Sequence, residues 1–444
     1  MFLIYYKIKF LLKKLSSSKL LVLGFLSYIL LGTILVSFPF SKKVDVSFID
    51  NLFNITSAVS TTGLVTTSIS DSYTIFGQII IMLFFQLGGI GYMSLSTFIL
   101  LFRGKQISDT RKNILTSEYS IPKDFRIQDF VYKLVLFTIF IETIGTLILY
   151  FEFKAAGVEN SFYSAIFHTI SAFATAGFSL NNNSLEDFKF NTIVNVTISI
   201  LCYLGALGFI VIMDLYNSIR IREYKISFTT KVIVGATFII LFIETPLFYF
   251  FEPSISSYSS GNKLLVSFFQ IMTASTTAGF NSLNIGVLSH SSLVLILFCM
   301  IIGASPSGTG GGIKTTAFIA LLASTFSILK GETYISFFGN RIPLSRLFSA
   351  VSSATIYLLT LLVGTFLLSI TENFTFMEIV FEITSALGTV GLSMGITGNL
   401  STFAKYILVI IMFIGRVGPL SIGFALLSKE REEHDTIKDA DLAV

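Results

Sequence analysis

Four short stretches hold the residues whose types and spacing permit chemistry: SAVSTTGLVT from Ser57, SAFATAGFSL from Ser171, TASTTAGFNS from Thr273 and SALGTVGLSM from Ser385. Aligned on Gly63, Gly177, Gly279 and Gly391, they share a threonine two residues earlier (Thr61, Thr175, Thr277, Thr389) and an alanine five earlier (Ala58, Ala172, Ala274, Ala386). A hydroxyl lies six residues earlier (Ser57, Ser171, Thr273, Ser385). A polar residue lies nine earlier (Asn54, His168, Gln270, Glu382) and a phenylalanine ten earlier (Phe53, Phe167, Phe269, Phe381). No Ser/His/Asp set or carboxylate pair accompanies them, so enzymatic catalysis has no candidate residues. The chemistry on offer is that of the backbone. Glycine permits positive φ and so lets successive carbonyls be aimed to one side. Four such strips around one axis would replace the water around a dehydrated cation with carbonyl oxygens. The candidate ion-binding residues are Thr61, Thr62 and Gly63, Thr175, Ala176 and Gly177, Thr277, Ala278 and Gly279, and Thr389, Val390 and Gly391.

The elements that must position these strips follow from hydropathy. Only 13% of the 444 residues are charged and 53% are hydrophobic, whereas soluble proteins carry about 25% charged residues. The chain is therefore an integral membrane protein. With 47 phenylalanines and no tryptophan, tyrosine must serve at the membrane interfaces. Around each phrase the pattern repeats. An apolar run long enough to span the bilayer comes first (20–40, 130–151, 232–251, 351–370). A segment too short to cross follows (48–60, 161–174, 264–276, 376–388), then the phrase, then a second long run (73–102, 192–216, 291–328, 403–427). This predicts an all-α polytopic protein of four span–half-helix–span repeats around one pseudo-fourfold pore. Its divisions are 1–104, 105–220, 221–335 and 336–428, with a tail at 429–444. The plainer reading of one phrase, a small-residue contact between helices, does not explain four copies in register.

Basic residues orient the chain. The N-terminal lead (Lys7, Lys9, Lys13, Lys14, Lys19), the loops 103–126, 220–231 and 330–346, and the tail hold 21 of the 30. Both termini are therefore expected in the cytoplasm, with the half-helices dipping in from outside. The apolar run after the lead is too long for a cleaved signal. Cys202 and Cys299 lie within apolar runs and read as small buried hydrophobes.

Each second span carries glycines 24 to 28 residues past its phrase. In QLGGIGY and YLGALGF these read as close helix contacts. The third, GASPSGTGGGIK, contains Gly303, Ser305, Pro306, Gly308, Gly310, Gly311 and Gly312 and cannot remain helical. Counted from Ser291 at about 1.5 Å per residue, the break begins roughly 18 Å into the membrane, where irregular backbone must line a cavity. A gate there is expected about half a membrane from the filter. Its glycines read as a segment too loose to settle firmly. A phosphate-binding reading fails, because Ile313 separates Gly312 from Lys314 and no strand precedes it. Arg416 lies at matching depth in the last span. It either pairs with an acidic neighbour or presents a positive charge below the filter and anchors the loop. Lys314 either holds the loop or snorkels to the cytoplasm. Glu382 and His168 are expected to bond to neighbouring spans and brace the filter.

The fourfold span–half-helix–Thr-x-Gly–span pattern resembles the Trk/Ktr/HKT superfamily of potassium transporters over nearly the whole chain. It is most similar to the Ktr-type membrane subunit, with no extra helix pair ahead of the first repeat. Thr389-Val390-Gly391 keeps the first three letters of the potassium-channel TVGYG filter, and the other phrases are degenerate. The resemblance implies filter glycines at Gly63, Gly177, Gly279 and Gly391, and a gating loop at 303–312 with an arginine at the position of Arg416. Sodium-preferring members often carry serine at the first glycine, so Gly63 favours potassium. The resemblance further implies potassium as the ion, sodium as an activator or co-ion, and a homodimer on a cytoplasmic ring of nucleotide-binding regulatory subunits. No nucleotide is expected on this chain and no nucleic-acid partner; membrane lipid surrounds it. The basic loops 103–126 and 220–231 and the tail are candidate contacts for the ring, although positive-inside bias alone explains their charge. The expected function is potassium uptake across the cell membrane. The alternatives are sodium-selective or sodium-coupled permeation, and a non-transporting accessory subunit.

Overall fold

The computed structural model describes residues 15–102 and 127–427, together with Ile107, Lys112 and Leu115. Lys7 to Lys14 of the basic lead, most of the 103–126 loop and the 429–444 tail lie outside the described residues. Helices dominate. Among the described residues four are long and apolar enough to cross a membrane: α1 (Ser17–Ser37), α6 (Ile127–Ala155), α10 (Phe228–Phe251) and α14 (Leu344–Thr371). Each is followed by a helix of 13 to 16 residues: α2 (Phe48–Ser60), α7 (Ser161–Phe173), α11 (Ser260–Ser275) and α15 (Phe376–Gly388). Side chains start three of these short helices. Ser47 and Ser259 accept the backbone N–H groups of Asp50 and Asn262, and Thr375 forms a reciprocal capping box with Glu378. The phenylalanines ten residues before each glycine, Phe53, Phe167, Phe269 and Phe381, are all fully buried and seat their half-helices in the core.

Three of the second spans differ from expectation, which placed a break in the third alone. None runs unbroken. They divide into α4 (Ile75–Ile90) and α5 (Tyr92–Phe102), α8 (Thr192–Ala206) and α9 (Phe209–Arg220), α12 (His290–Ile302) and α13 (Thr315–Leu329), and α16 (Thr402–Val417) and α17 (Pro419–Leu427). Short α3 (Ile69–Ser72) precedes α4. Every break contains a glycine at positive φ: Gly91 (82°), Gly208 (88°), Gly303 (66°) and Gly418 (90°). The α8–α9 and α16–α17 pairs bend by 97° and 95°. The glycines read as helix contacts in the first two spans thus also mark where the helix stops, since only glycine adopts such φ values without strain.

The four units close on one another. The helix after each phrase packs against the next unit's half-helix: α4 on α7, α8 on α11, α12 on α15, and α16 back on α2. An ion pair reinforces the last junction. Lys405 Nζ lies 2.7 Å from Asp50, with side chains 13% and 15% exposed. Removing one member of a buried pair leaves a charge without compensation. Lys405→Met is therefore expected to lower stability by about 2 kcal/mol, between the values typical of exposed and buried pairs. Thermal unfolding of K405M beside the D50N/K405M double variant checks this, and the double variant should recover part of the loss.

On the side where α13 ends, a two-stranded hairpin, β1 (Ser336–Phe337) and β2 (Asn340–Arg341), links it to α14. Cys202 and Cys299 are both free and buried.

Candidate functional site

The four phrases take one backbone form. In each, the threonine N–H donates to the alanine three residues back: Thr61 to Ala58 at 3.0 Å, Thr175 to Ala172 at 3.1 Å, Thr277 to Ala274 at 3.3 Å and Thr389 to Ala386 at 3.2 Å. The next N–H reaches the hydroxyl residue's carbonyl five back: Thr62 to Ser57, Ala176 to Ser171 and Val390 to Ser385 at 2.8 Å, and Ala278 to Thr273 at 2.9 Å. These paired bonds close a helix whose next residue is left-handed. That left-handed residue is the threonine, with φ of 53°, 50°, 56° and 50° at Thr61, Thr175, Thr277 and Thr389. A β-branched residue there is an outlier, at a cost of roughly 1–2 kcal/mol each. Strain of this kind persists only where surrounding structure imposes it. The glycines two residues on, at 92°, 69°, 77° and 94°, are left-handed as well. Alternating handedness turns successive carbonyls the same way. Among the described residues no hydrogen bond reaches the carbonyls of the twelve candidate filter residues.

The strips meet edge to edge. A Cβ added to Gly63 would lie 2.6 Å from Ala176 O, one at Gly177 would lie 2.7 Å from Ala278 O, one at Gly279 2.2 Å from Val390 O, and one at Gly391 2.2 Å from Thr62 O. Each glycine therefore touches the carbonyl just before the next unit's glycine, in chain order, and the fourth returns to the first. No side chain larger than hydrogen fits this ring.

The sequence led us to expect bonds from Glu382 and His168 to neighbouring spans. Instead these two, with Asn54, hold the descending limbs of their own strips, whereas both amide atoms of Gln270 are buried without a hydrogen bond among the described residues. Asn54 accepts from Thr66 N at 3.1 Å and donates to Thr67 Oγ1 at 3.0 Å. His168 Nε2 shares a hydrogen bond with Ser179 Oγ at 2.9 Å, and Glu382 accepts from Ser393 Oγ at 2.7 Å and from Thr397. The hydroxyl six before adds a second brace in two units: Gly63 N donates to Ser57 Oγ and Gly391 N to Ser385 Oγ, both at 3.0 Å.

The loop after α12 lies directly against the ring, not half a membrane away. Thr61 Oγ1 donates to Thr309 O at 3.0 Å, and Thr175 and Thr309 share a hydroxyl hydrogen bond at 2.8 Å. A Cβ on Gly310 would fall 1.9 Å from Thr277 Oγ1, and one on Gly311 2.6 Å from Thr389 Oγ1. Thr309, Gly310 and Gly311 thus meet the left-handed threonines of all four phrases. Nor is the loop loose. Ala304 N donates to Gly311 O and Thr315 N to Ala304 O across its limbs, at 3.1 and 3.3 Å. Ser305 N and Thr309 N donate to Ala206 and Gly205 at the end of α8, at 3.1 and 3.2 Å. Gly208 packs on Pro306 O, Gly308 on Ala206 O, and Gly303 on Gly312. Its glycines serve close approach, which explains why sequence composition alone suggested slackness.

Arg416 joins these parts. It donates through Nη1 to Thr61 Oγ1 at 3.1 Å and to Thr309 O, and through Nη2 to Gly88 O of α4. Lys314 Nζ donates to Gly310 O at 2.5 Å, so it holds the loop. Thr309 is the residue sequence reading missed. Its only signal was a lone β-branched residue within a run of glycines. Among the described residues no group of three or more His, Cys, Asp or Glu side chains is placed to hold a metal ion.

Comparison with known proteins gives the following. Residues 21–433 match the TrkH family, described as cation transport protein. The chain is 35% identical over 418 residues to the Ktr system potassium uptake protein B of Bacillus subtilis, covering 93% of each chain. It is 33% identical over 427 residues to the potassium/sodium uptake protein NtpJ of Enterococcus hirae, covering 94% of each. In fold it is similar to the crystal structure of the potassium transporter TrkH from Vibrio parahaemolyticus, with a TM-score of 0.71 and 22% identity over 91% of this chain and 84% of that one.

Proposed function

The chain belongs to the TrkH family of cation transport proteins, a family of multi-pass membrane transporters and not of enzymes, and on that premise we propose that it takes up potassium through a single central filter. The observation that carries this reading is the closed ring in which each filter glycine abuts the carbonyl before the next. Four inward strips would shed a cation's water and replace it with carbonyl oxygens. The names of the two relatives agree on potassium, and one adds sodium. Gly63 in place of serine favours potassium here. Sodium as co-ion or activator is the second reading, motivated by the relative named for both ions.

In this reading the four repeats are 1–104, 105–220, 221–335 and 336–428. The 303–312 loop, with Lys314 and Arg416, is the gate, and both termini face the cytoplasm. The loop blocks by filling the space below the four threonines, and Arg416 adds a positive charge at the same level. Opening requires Thr309 to leave Thr61 and Thr175. The helix that follows the loop, α13, is the lever, and the partner that moves it is a ring of nucleotide-binding regulatory subunits beneath a homodimer. The exposed basic stretch 220–231 is the described part of that contact surface. Neutralising Arg220, Arg222 and Lys225 together is expected to weaken pull-down of the regulatory subunit at least about tenfold, the change that ~1.4 kcal/mol produces. Unchanged binding would remove this surface from the contact.

Rubidium uptake into proteoliposomes holding only this chain tests the proposal, with potassium and sodium varied separately as competitors. Uptake blocked by potassium far better than by sodium is expected. No uptake by folded protein would favour an accessory subunit, and equal competition would favour the sodium reading.

A further inference from the structure

The hairpin between α13 and α14 takes no part in the filter or the loop. Its tip residues Phe338 and Gly339 both have positive φ, 46° and 72°. Such two-residue turns favour Asn-Gly or Gly-Gly, and a bulky residue at positive φ is strained. Phe338 is nevertheless there, and it is 83% exposed. Its ring meets Phe337 edge-on, with centres 4.6 Å apart, but a side chain that strains its turn and stays so exposed contributes little to this fold.

The mount beneath it is firm. Ser336 N donates to Ser327 Oγ of α13 at 3.0 Å, Glu332 N to Ser327 O at 2.9 Å, and Ile342 N to Ile335 O at 2.9 Å. Ile335 is buried under the hairpin. Exposed cations flank the tip: Lys330 at the end of α13, Arg341 on β2 and Arg346 in the first turn of α14. Arg341 lies over the exposed Tyr334 ring, 5.9 Å from its centre. The nearest carboxylate on this segment, Glu332, accepts from Ser336 Oγ at 2.8 Å. Exposed Ile328 and Leu329 come just before this group, and exposed Leu344 and Phe348 just after. At about 1.5 Å per residue the 28-residue α14 is longer than a bilayer core of about 30 Å. Its first turns, and the hairpin with them, therefore sit at a membrane surface.

We propose that the hairpin inserts Phe338 into the cytoplasmic leaflet, where Lys330, Arg341 and Arg346 hold the phosphates of anionic lipids. The choice of leaflet rests on the topology given under Proposed function. An aromatic tip ringed by long cationic side chains matches the boundary between acyl chains and headgroups, with apolar atoms below and charges at phosphate level. Ile328, Leu329, Leu344 and Phe348 on either side are exposed apolar residues suited to the same lipid. The consequence reaches the loop. Thr315, which opens α13, donates its N–H to Ala304 O within the loop at 3.3 Å. Lipid held at the far end of α13 would thus fix the helix that carries the gate.

The test labels Phe338→Cys with an environment-sensitive dye, the native Cys202 and Cys299 being buried. The full chain is reconstituted into vesicles of phosphatidylcholine alone or mixed with phosphatidylglycerol. The expected result is a shift of emission to shorter wavelength, strong quenching by nitroxide lipids and loss of quenching by aqueous iodide in the mixed vesicles. These changes should shrink in phosphatidylcholine alone and in K330Q/R341Q/R346Q. Iodide quenching that dominates in both lipids would overturn the proposal and leave the tip as an aqueous face for a protein partner. Equal burial in both lipids and in the triple variant would overturn the headgroup contact. Rubidium uptake measured in the same vesicles is a separate reading: an inserted hairpin without uptake would contradict the transport function, not the anchor.

Discussion

Gly391→Ala is expected to abolish the preference for potassium while leaving a membrane-inserted, folded chain. Two costs coincide at this position. Gly391 has φ of 94°, and the added Cβ would lie 2.2 Å from Thr62 O and 3.0 Å from Gly63 Cα. The left-handed backbone alone costs an alanine roughly 1–2 kcal/mol. Relieving the contact means moving Thr62 O, one of the carbonyls proposed to replace the ion's water. Gly395 separates the two costs. It has φ of 97°, yet a Cβ there meets nothing within 4 Å. Gly395→Ala should therefore lower stability with selectivity kept, whereas Gly391→Ala should shift the potassium-to-sodium uptake ratio at least about tenfold, the effect of ~1.4 kcal/mol. Uptake ratios normalised to folded protein in cells lacking their own potassium systems decide the matter. Equal ratios in G391A and G395A would remove the ring from the account. By the same argument Gly63→Ser, with its Cβ 2.6 Å from Ala176 O, should weaken selectivity.

Removing the loop should raise flux and lower selectivity together. From sequence the loop stands far from the filter, so its deletion would leave selectivity intact. The structure changes that expectation, because Thr309 bonds Thr61 and Thr175, and Gly310 and Gly311 press on Thr277 and Thr389. Those threonines hold strained left-handed φ values, and loss of the loop removes part of what imposes them. Deleting Gly308 to Gly311 is thus expected to speed uptake of both ions, sodium more than potassium. Arg416→Ala should act the same way, since it frees Thr309 O, Thr61 and Gly88 O at once and removes a charge that repels cations. Flux per folded molecule distinguishes this from a merely structural loop. No gain in either variant would end the gating assignment.

Much of this architecture was legible because it is written four times. The shared Phe, hydroxyl, Ala, Thr and Gly positions serve as a buried anchor, helix-closing carbonyls and left-handed turns in all four units, and the polar position braces the descending limb in three, Gln270 being the exception. The breaks in the second spans were less visible. Gly91 and Gly208 sit in QLGGIGY and YLGALGF, runs that equally fit close contacts between unbroken helices, so nothing local announces the positive φ. The place of the loop was hidden for another reason. Depth counted along a helix says where a break starts, not that the chain then turns back towards the ring through Thr309. Composition also misled about its rigidity, since glycine gives both freedom and close approach, and only the neighbours at Gly310 and Gly311 show which applies.

The most direct test of the central claim is ion position. Crystals of the chain grown in potassium and exchanged into rubidium would give anomalous-difference density wherever a potassium-like ion binds. The account predicts a peak on the axis enclosed by the carbonyls of Thr62, Ala176, Ala278 and Val390, absent from Gly391→Ala. Rubidium bound elsewhere, with that ring empty in an otherwise unchanged filter, would contradict it.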